Sequence, residues 1–314
     1  HTGTDTHALL FRAPNFTSIT SANTGSNAIT IIGEAIYHRG ISSNNDVRIT
    51  ATGSNGGVTI SGERGSNKTY AVEFNGGYIL SNSGPIEIEA KNDPNSITNR
   101  GFLYLNDVTL GSLAGTNVAS STANITLTSD VFQSTSSTHS SINTDGTLTV
   151  RPYQSSFGTT QYFNNTSQSF LPTNYFAING NGQTLTGLTI GKPTSTSPVK
   201  VTSSLSIAGP ISVYGGDLTV GGNLNTSTGG ATGTVLLKAT GNITQSSGID
   251  ITTDGADVIY WSDSDENNAG FIDFTGSGYD IVTNGGDVIL GGGAGTTLPT
   301  GYAHGGTAAD GVNF

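Results

Sequence analysis

The residues best suited to chemistry sit late in the chain, where Asp263-Ser-Asp265-Glu-Asn267 has the Asp-x-Asp-x-Asn opening of a calcium loop. Oxygen donors at the first, third and fifth positions of a tight loop can converge on a hard cation, so Asp263, Asp265 and Asn267 are the candidate ligands. The loop then departs from that pattern. Asn268 stands where the sharp turn wants glycine, and Phe274 where the last, bidentate Glu belongs. No cofactor is required, and calcium is the one candidate. The surrounding quarter, 239–314, carries ten acidic side chains and no Lys or Arg, the last base being Lys238. Divalent ions between layers would relieve that charge. The plainer reading is a solvated, self-repelling acidic face.

A second candidate is aromatic. Tyr153, Phe157, Tyr162, Phe163, Phe170, Tyr175 and Phe176 crowd into 24 residues of a polar Asn/Ser/Thr/Gln setting. Tyr153, Tyr162, Phe163 and Tyr175 would suit a sugar-stacking platform or a partner patch. Equally, such rings can pin a lateral excursion, 151–182, to the flank of a larger body.

Other chemistries find no footing. The chain has no Cys and no Met, which removes disulfides, thiol nucleophiles and thiolate metal sites. It has no Gly-x-Ser-x-Gly elbow and no His-Glu-x-x-His, and Gly191-Lys192 runs into Pro193 where a phosphate loop needs Ser or Thr. The His residues at 1, 7, 38, 139 and 304 show no ligand spacing. Asp257 and Asp287 could meet as paired carboxylates in a stacked fold, yet a ladder of solvated carboxylates has the same spacing. An enzyme is therefore not expected. A net charge of −11 argues against nucleic acid or an anionic membrane as partner. No run of eighteen apolar residues suggests membrane insertion.

The elements that must position these residues are short strands. Residues 204–225 read SLSIAGPISVYGGDLTVGGNLN, with apolar–polar–apolar triplets at Leu205/Ile207, Ile211/Val213 and Leu218/Val220, and Leu224 opening a fourth. The triplets start six, seven and six residues apart, with Gly, Pro or Asn in the gaps. That spacing is too tight for crossover helices and too short-stranded for a meander. A chain that bends the same way at each gap closes a turn in three bends, so the spacing predicts an all-β, right-handed parallel β-helix of about 20 residues per coil. In this reading the glycines of Gly215-Gly216-Asp217 supply positive φ for the bend. Residues 251–260 (ITTDGADVIY) and 281–290 (IVTNGGDVIL) match at six of ten positions, as an imperfect repeat of the coil. Composition agrees: 45 Gly and only 11% charged residues, with abundant Ile, Val and Thr. The expected organisation is an irregular edge or partial first coil at 1–27, then one continuous β-helix over 28–314 ending in the acidic quarter 239–314.

The run 123–130 (ANITLTSD), the segment 142–152 (INTDGTLTVRP), and ISVYGGDLTVGGNLN followed by VLLKATGNITQSSGIDITTDGADV resemble filamentous-haemagglutinin-type adhesin repeats. The similarity covers roughly 100–295, carried by the recurring order strand, Gly-Gly-Asp, strand, Gly-Asn, strand. It implies a right-handed parallel β-helix within a very large secreted or cell-surface bacterial adhesin, continuing at both ends of this chain. Its partners would be host or neighbouring cell surfaces, through glycans or proteins. The family's secretion-domain motifs do not occur, and 1–100 match in style alone. The alternative function is a carbohydrate-binding or lyase-type, carbohydrate-cleaving β-helix.

Overall fold

The structure, a computed structural model, describes residues 7–11, 16–35, 39–43, 45–65, 70–92, 102–133, 140–163, 176–304 and 311–313. The fold is nearly all-β, with half of the chain in strands, and among the described residues every pairing between strands is parallel, as a parallel β-helix requires. It forms two compact units, His1–Gln154 with Ser169–Leu185 and Ser155–Gln168 with Thr186–Phe314.

In the second unit three columns of strands stack. The first runs Gly187–Ile190, Ile211–Gly215, Val235–Ala239, Val258–Trp261 and Val288–Gly291. The second runs Gln161–Phe163, Val199–Val201, Leu218–Val220, Ile243–Gln245, Ile272–Phe274 and Val312–Asn313. The third holds two-residue strands at Leu205–Ser206, Leu224–Asn225, Ile251–Thr252 and Ile281–Val282. Period-two alternation sends Ile211, Val213, Leu218, Val220, Val235, Leu237 and Ile243 inward, each at most 2% exposed. Leu188, Ile211, Val235, Val258 and Val288 share one register, so successive coils take 23, 24, 23 and 30 residues. Every one exceeds the expected 20; the 24-residue coil carries a 3-10 turn at Ser227–Thr232, and the 30-residue coil the acidic loop between Trp261 and Ile272.

The first unit has a broader coil. One sheet stacks Ile29–Glu34, Val58–Glu63, Ile86–Lys91, Ile125–Ser129 and Thr147–Arg151. The other is built around the long strands Tyr70–Ser81 and Phe102–Gly111. Tyr70–Ser81 spans two strands of the preceding coil, Arg39–Ser43 and Asp46–Ala51. It bends between them at Gly76 and Gly77, whose φ values are +91° and +98°. A Cβ on Gly77 would lie 2.1 Å from the Val47 carbonyl oxygen, so the bend needs glycine twice over, for its dihedral and for its space. The first 27 residues contribute two paired strands, His7–Phe11 and Phe16–Ser21. The span 151–182 likewise gives strands to both units, Gln161–Phe163 and Phe176–Ile178.

At the corners the residue just before a strand is repeatedly Asp or Asn, and its side chain reaches the next coil. Asp217 Oδ1 accepts from the Asn242 N–H (2.8 Å), and Asn242 Oδ1 from the Phe271 N–H (3.1 Å). Asn223 accepts from Asp250 (3.0 Å), Asp250 from Asp280 (2.9 Å), and Asp257 from Asp287 (2.8 Å). In the first unit Asn124 does the same for Thr147 (3.0 Å). The bends differ from expectation. Gly255 and Gly285 have positive φ, but Gly215 and Gly216 do not; a Cβ on Gly216 would lie 2.1 Å from the Thr196 carbonyl of the coil below. There glycine is demanded by close stacking, not by dihedral.

If the side-chain oxygen is what the corner needs, Asp250→Ala should cost about 1–2 kcal/mol in urea unfolding. Asp250→Asn should stay within about 0.5 kcal/mol of the parent, as should Asp254→Ala on an exposed turn.

Candidate functional site

The acidic loop is fastened to the flank of the second unit. Ser264 N–H donates to the Ala239 carbonyl (3.0 Å) and Gly293 N–H to the Asp263 carbonyl (3.1 Å). Asp263 is fully buried, with φ +47°. Its Oδ1 accepts from the Ala269 N–H (3.3 Å), while its Oδ2 has no hydrogen bond and faces His304 Nε2 at 3.6 Å. Asp265 and Asn267 are exposed, and the Asn267 amide donates to Asp265 Oδ2 (3.0 Å). The three candidate ligands thus enter two separate interactions. Among the described residues no three His, Cys, Asp or Glu side chains converge as a metal set.

Four other acids of this quarter are placed by the corners. Asp250, Asp257, Asp280 and Asp287 all occupy the position before a strand, and Asp257 lies under Asp287 as a rung whose oxygen already holds a backbone N–H. Lys238, the last base, sits 3.5 Å above the ring of Trp261, its register partner. Trp261 is 1% exposed and donates its indole N–H to the Gly293 carbonyl (2.6 Å). Burial pushes the Lys238 ammonium below the usual lysine value, while the ring face offsets part of the lost hydration.

The aromatic candidates separate in the same way. Phe163 is 1% exposed and Phe157 is 2% exposed, so both rings belong to the interior and Phe163 offers no stacking face; the alternation of its strand turns it inward. Tyr153 is exposed. Tyr162 is half-buried, with Lys200 Nζ 5.5 Å from its ring centroid. Tyr175 lies outside the described residues.

Two polar centres had no sequence signal beyond single polar residues in strands. In the first unit Glu73 is 8% exposed, pairs with Arg39, and accepts from Ser42 Oγ (2.8 Å). Arg39 also lies 5.2 Å from the centroid of the Tyr70 ring. Burial, then the Glu73 charge, raises the Tyr70 phenol above its usual value, which keeps it protonated and unsuited to act as a base. In the second unit Gln245, fully buried in a column that otherwise points Val220 and Phe274 inward, accepts from the Tyr260 hydroxyl and donates to the Ile249 carbonyl (2.6 Å). Tyr260 stands where Leu237 and Leu290 stand in neighbouring coils, so the two polar residues are a matched pair. Burial raises the Tyr260 phenol far above its ordinary value.

Among the described residues no helix is long and apolar enough to cross a membrane. No family model, no curated protein and no solved structure matches this chain.

Glu73→Gln should destabilise the protein by about 2–3 kcal/mol in chemical denaturation, because it leaves the Arg39 charge beside a partly buried neutral amide. A raised folded-state phenol stabilises fully below the unfolded value near 10, and that stability is lost as pH climbs above it. Alkaline titration followed by tyrosinate absorbance should therefore show Tyr260 ionising together with unfolding. Tyr260→Phe should remove that late step and cost about 1–2 kcal/mol at neutral pH through the orphaned Gln245 oxygen.

Proposed function

We propose that the chain is a length-building segment of a large secreted or cell-surface bacterial adhesin, non-catalytic in itself. One observation carries this reading: the internal sequence repeat is a repeat along the coil axis. Ile251 pairs with Ile281, Val258 with Val288 and Tyr260 with Leu290, so 281–290 lies in register on 251–260. Each added coil finds its strand partners, its apolar neighbours and its Asp/Asn bridge in the coil beneath. Length then grows without a new core.

The resemblance to filamentous-haemagglutinin-type repeats supports an extracellular setting, in which such coils carry binding regions toward host or neighbouring cells. A polysaccharide-cleaving β-helix is the competing reading, and experiment separates the two. In the producing cell, excising this segment should cut surface attachment severalfold. Excising a single coil, by joining Ile251 directly to Val282, should leave attachment near the parent level with cooperative unfolding retained. Attachment unchanged after complete excision would overturn the proposal. So would release of new sugar ends from plant, algal or bacterial polysaccharides by the purified chain.

A further inference from the structure

The corner between the first and second columns of the second unit is hollow. Residues 196–198, 216–217, 240–242 and 267–271 are that same corner in four successive coils, and they line a depression of about 450 Å³. A second depression of about 290 Å³, reaching Thr160 and Lys200, adjoins it; the two share Pro198, Asp217 and Asn242. The result is a trough that crosses the coils. Gly241 lines it, and a Cβ there would lie 2.5 Å from Asp217 Oδ1, so a side chain at this position would have to displace the carboxylate.

The walls are amphipathic and preorganised. Pro198 and the part-exposed Phe271 supply apolar surface. Asp217 and Asn242 line both depressions, and each has one oxygen tied to the backbone of the next coil, which restricts its rotamer and leaves Asp217 Oδ2 and the Asn242 amide nitrogen outside those bonds. Beside them the outward row of the second column reads Tyr162, Lys200, Thr219, Thr244 and Asp273 in register, roughly 4.8 Å apart.

We infer that this trough binds a neutral oligosaccharide. A sugar ring presents an apolar C–H face and a rim of hydroxyls that both donate and accept. The trough answers with Phe271 and Pro198 for the face, and with a fixed acceptor, a fixed donor and flanking hydroxyls for the rim. A peptide adding as a strand finds no free edge here: the Val199, Leu218 and Ile243 N–H groups are all taken by the coil above. An anionic glycan would meet Asp217 and Asp273 in a chain of net charge −11, against the single ammonium of Lys200. This inference goes beyond the length-building role and stands or falls separately from it.

The test uses the whole chain, titrated by calorimetry with cellohexaose, xylohexaose and maltohexaose. At least one should bind with a Kd of about 1 mM or tighter. The double variant Asp217→Asn, Asn242→Asp keeps both ladder acceptors but exchanges donor and acceptor in the trough. It should weaken binding at least about tenfold (about 1.4 kcal/mol) with an unchanged thermal midpoint. Asp254→Asn, on another corner, should bind as the parent does. No binding of any of the three sugars would overturn the inference. Binding that the folded double variant fully retains, or binding confined to a sulfated or carboxylated oligosaccharide, would do so as well.

Discussion

The interaction on which the rest of this structure depends is the bond from a corner Asp or Asn side chain to the backbone of the next coil. In a parallel stack the strand residues satisfy their N–H and C=O groups along the axis. The residue before several of the strands cannot: Asn242 gives its carbonyl to the Leu218 N–H below, and its own N–H faces the same way with no carbonyl to meet. Asp217 Oδ1 fills that place. Left unpaired, such a donor would cost free energy at each corner where it occurs; where Pro198 or Pro210 precedes the strand there is no N–H to satisfy. The bond needs an oxygen one carbon beyond Cβ and does not need charge, which is why Asn124, Asn223 and Asn242 serve as well as Asp250 and Asp257. The acidity of the last quarter follows in part from this: four of its acids occupy corner positions.

Once the corners are satisfied, the interior can be nearly uniform. Each column presents Ile, Val or Leu in register, and a buried side chain has the same kind of neighbour above and below it. The Gln245–Tyr260 pair shows how an exception survives. A buried amide or phenol alone would be destabilising, but one from each of two columns in adjoining steps of the coil satisfies the other. Insertions are tolerated for a related reason. The stack fixes only the strands, so the corner between Leu224 and Val235 can admit a 3-10 turn and a later coil an acidic loop, provided the chain returns in register.

Alternation and turn residues made the parallel β-helix legible from residues such as Ile211/Val213 and Leu218/Val220, and the repeat at 251–290 located one coil. The coil length was less legible, because a ruler taken from 204–225 samples the stretch with the shortest corners. The glycines were read for the wrong reason at Gly215-Gly216, since sequence reports a missing Cβ without saying whether dihedral or crowding excludes it. Aromatic clustering likewise could not separate Phe163, turned inward by the alternation of a three-residue strand, from Tyr162 beside it. Two partnerships, Arg39 with Glu73 and Lys238 with Trp261, join residues 34 and 23 positions apart. Those separations acquire meaning only when the local coil length is known.

The same ladder constrains what the outside of the coil can become. A corner Asp or Asn commits one side-chain atom to the coil above and keeps a second polar atom, so a residue that secures the stack can also present a donor or acceptor to solvent, as the exposed Asp217 does. Because coils repeat, such atoms recur at one-coil spacing along a corner. Where a committed corner carboxylate leaves no room for a side chain beside it, as Asp217 does at Gly241, the row borders a concave surface. Recognition along such a corner therefore requires no loop to order and no rotamer to freeze, and its specificity can change by exchanging Asp for Asn without loosening the stack. A fold stacked in this way thus carries, at its corners, positions where binding chemistry can vary almost independently of stability.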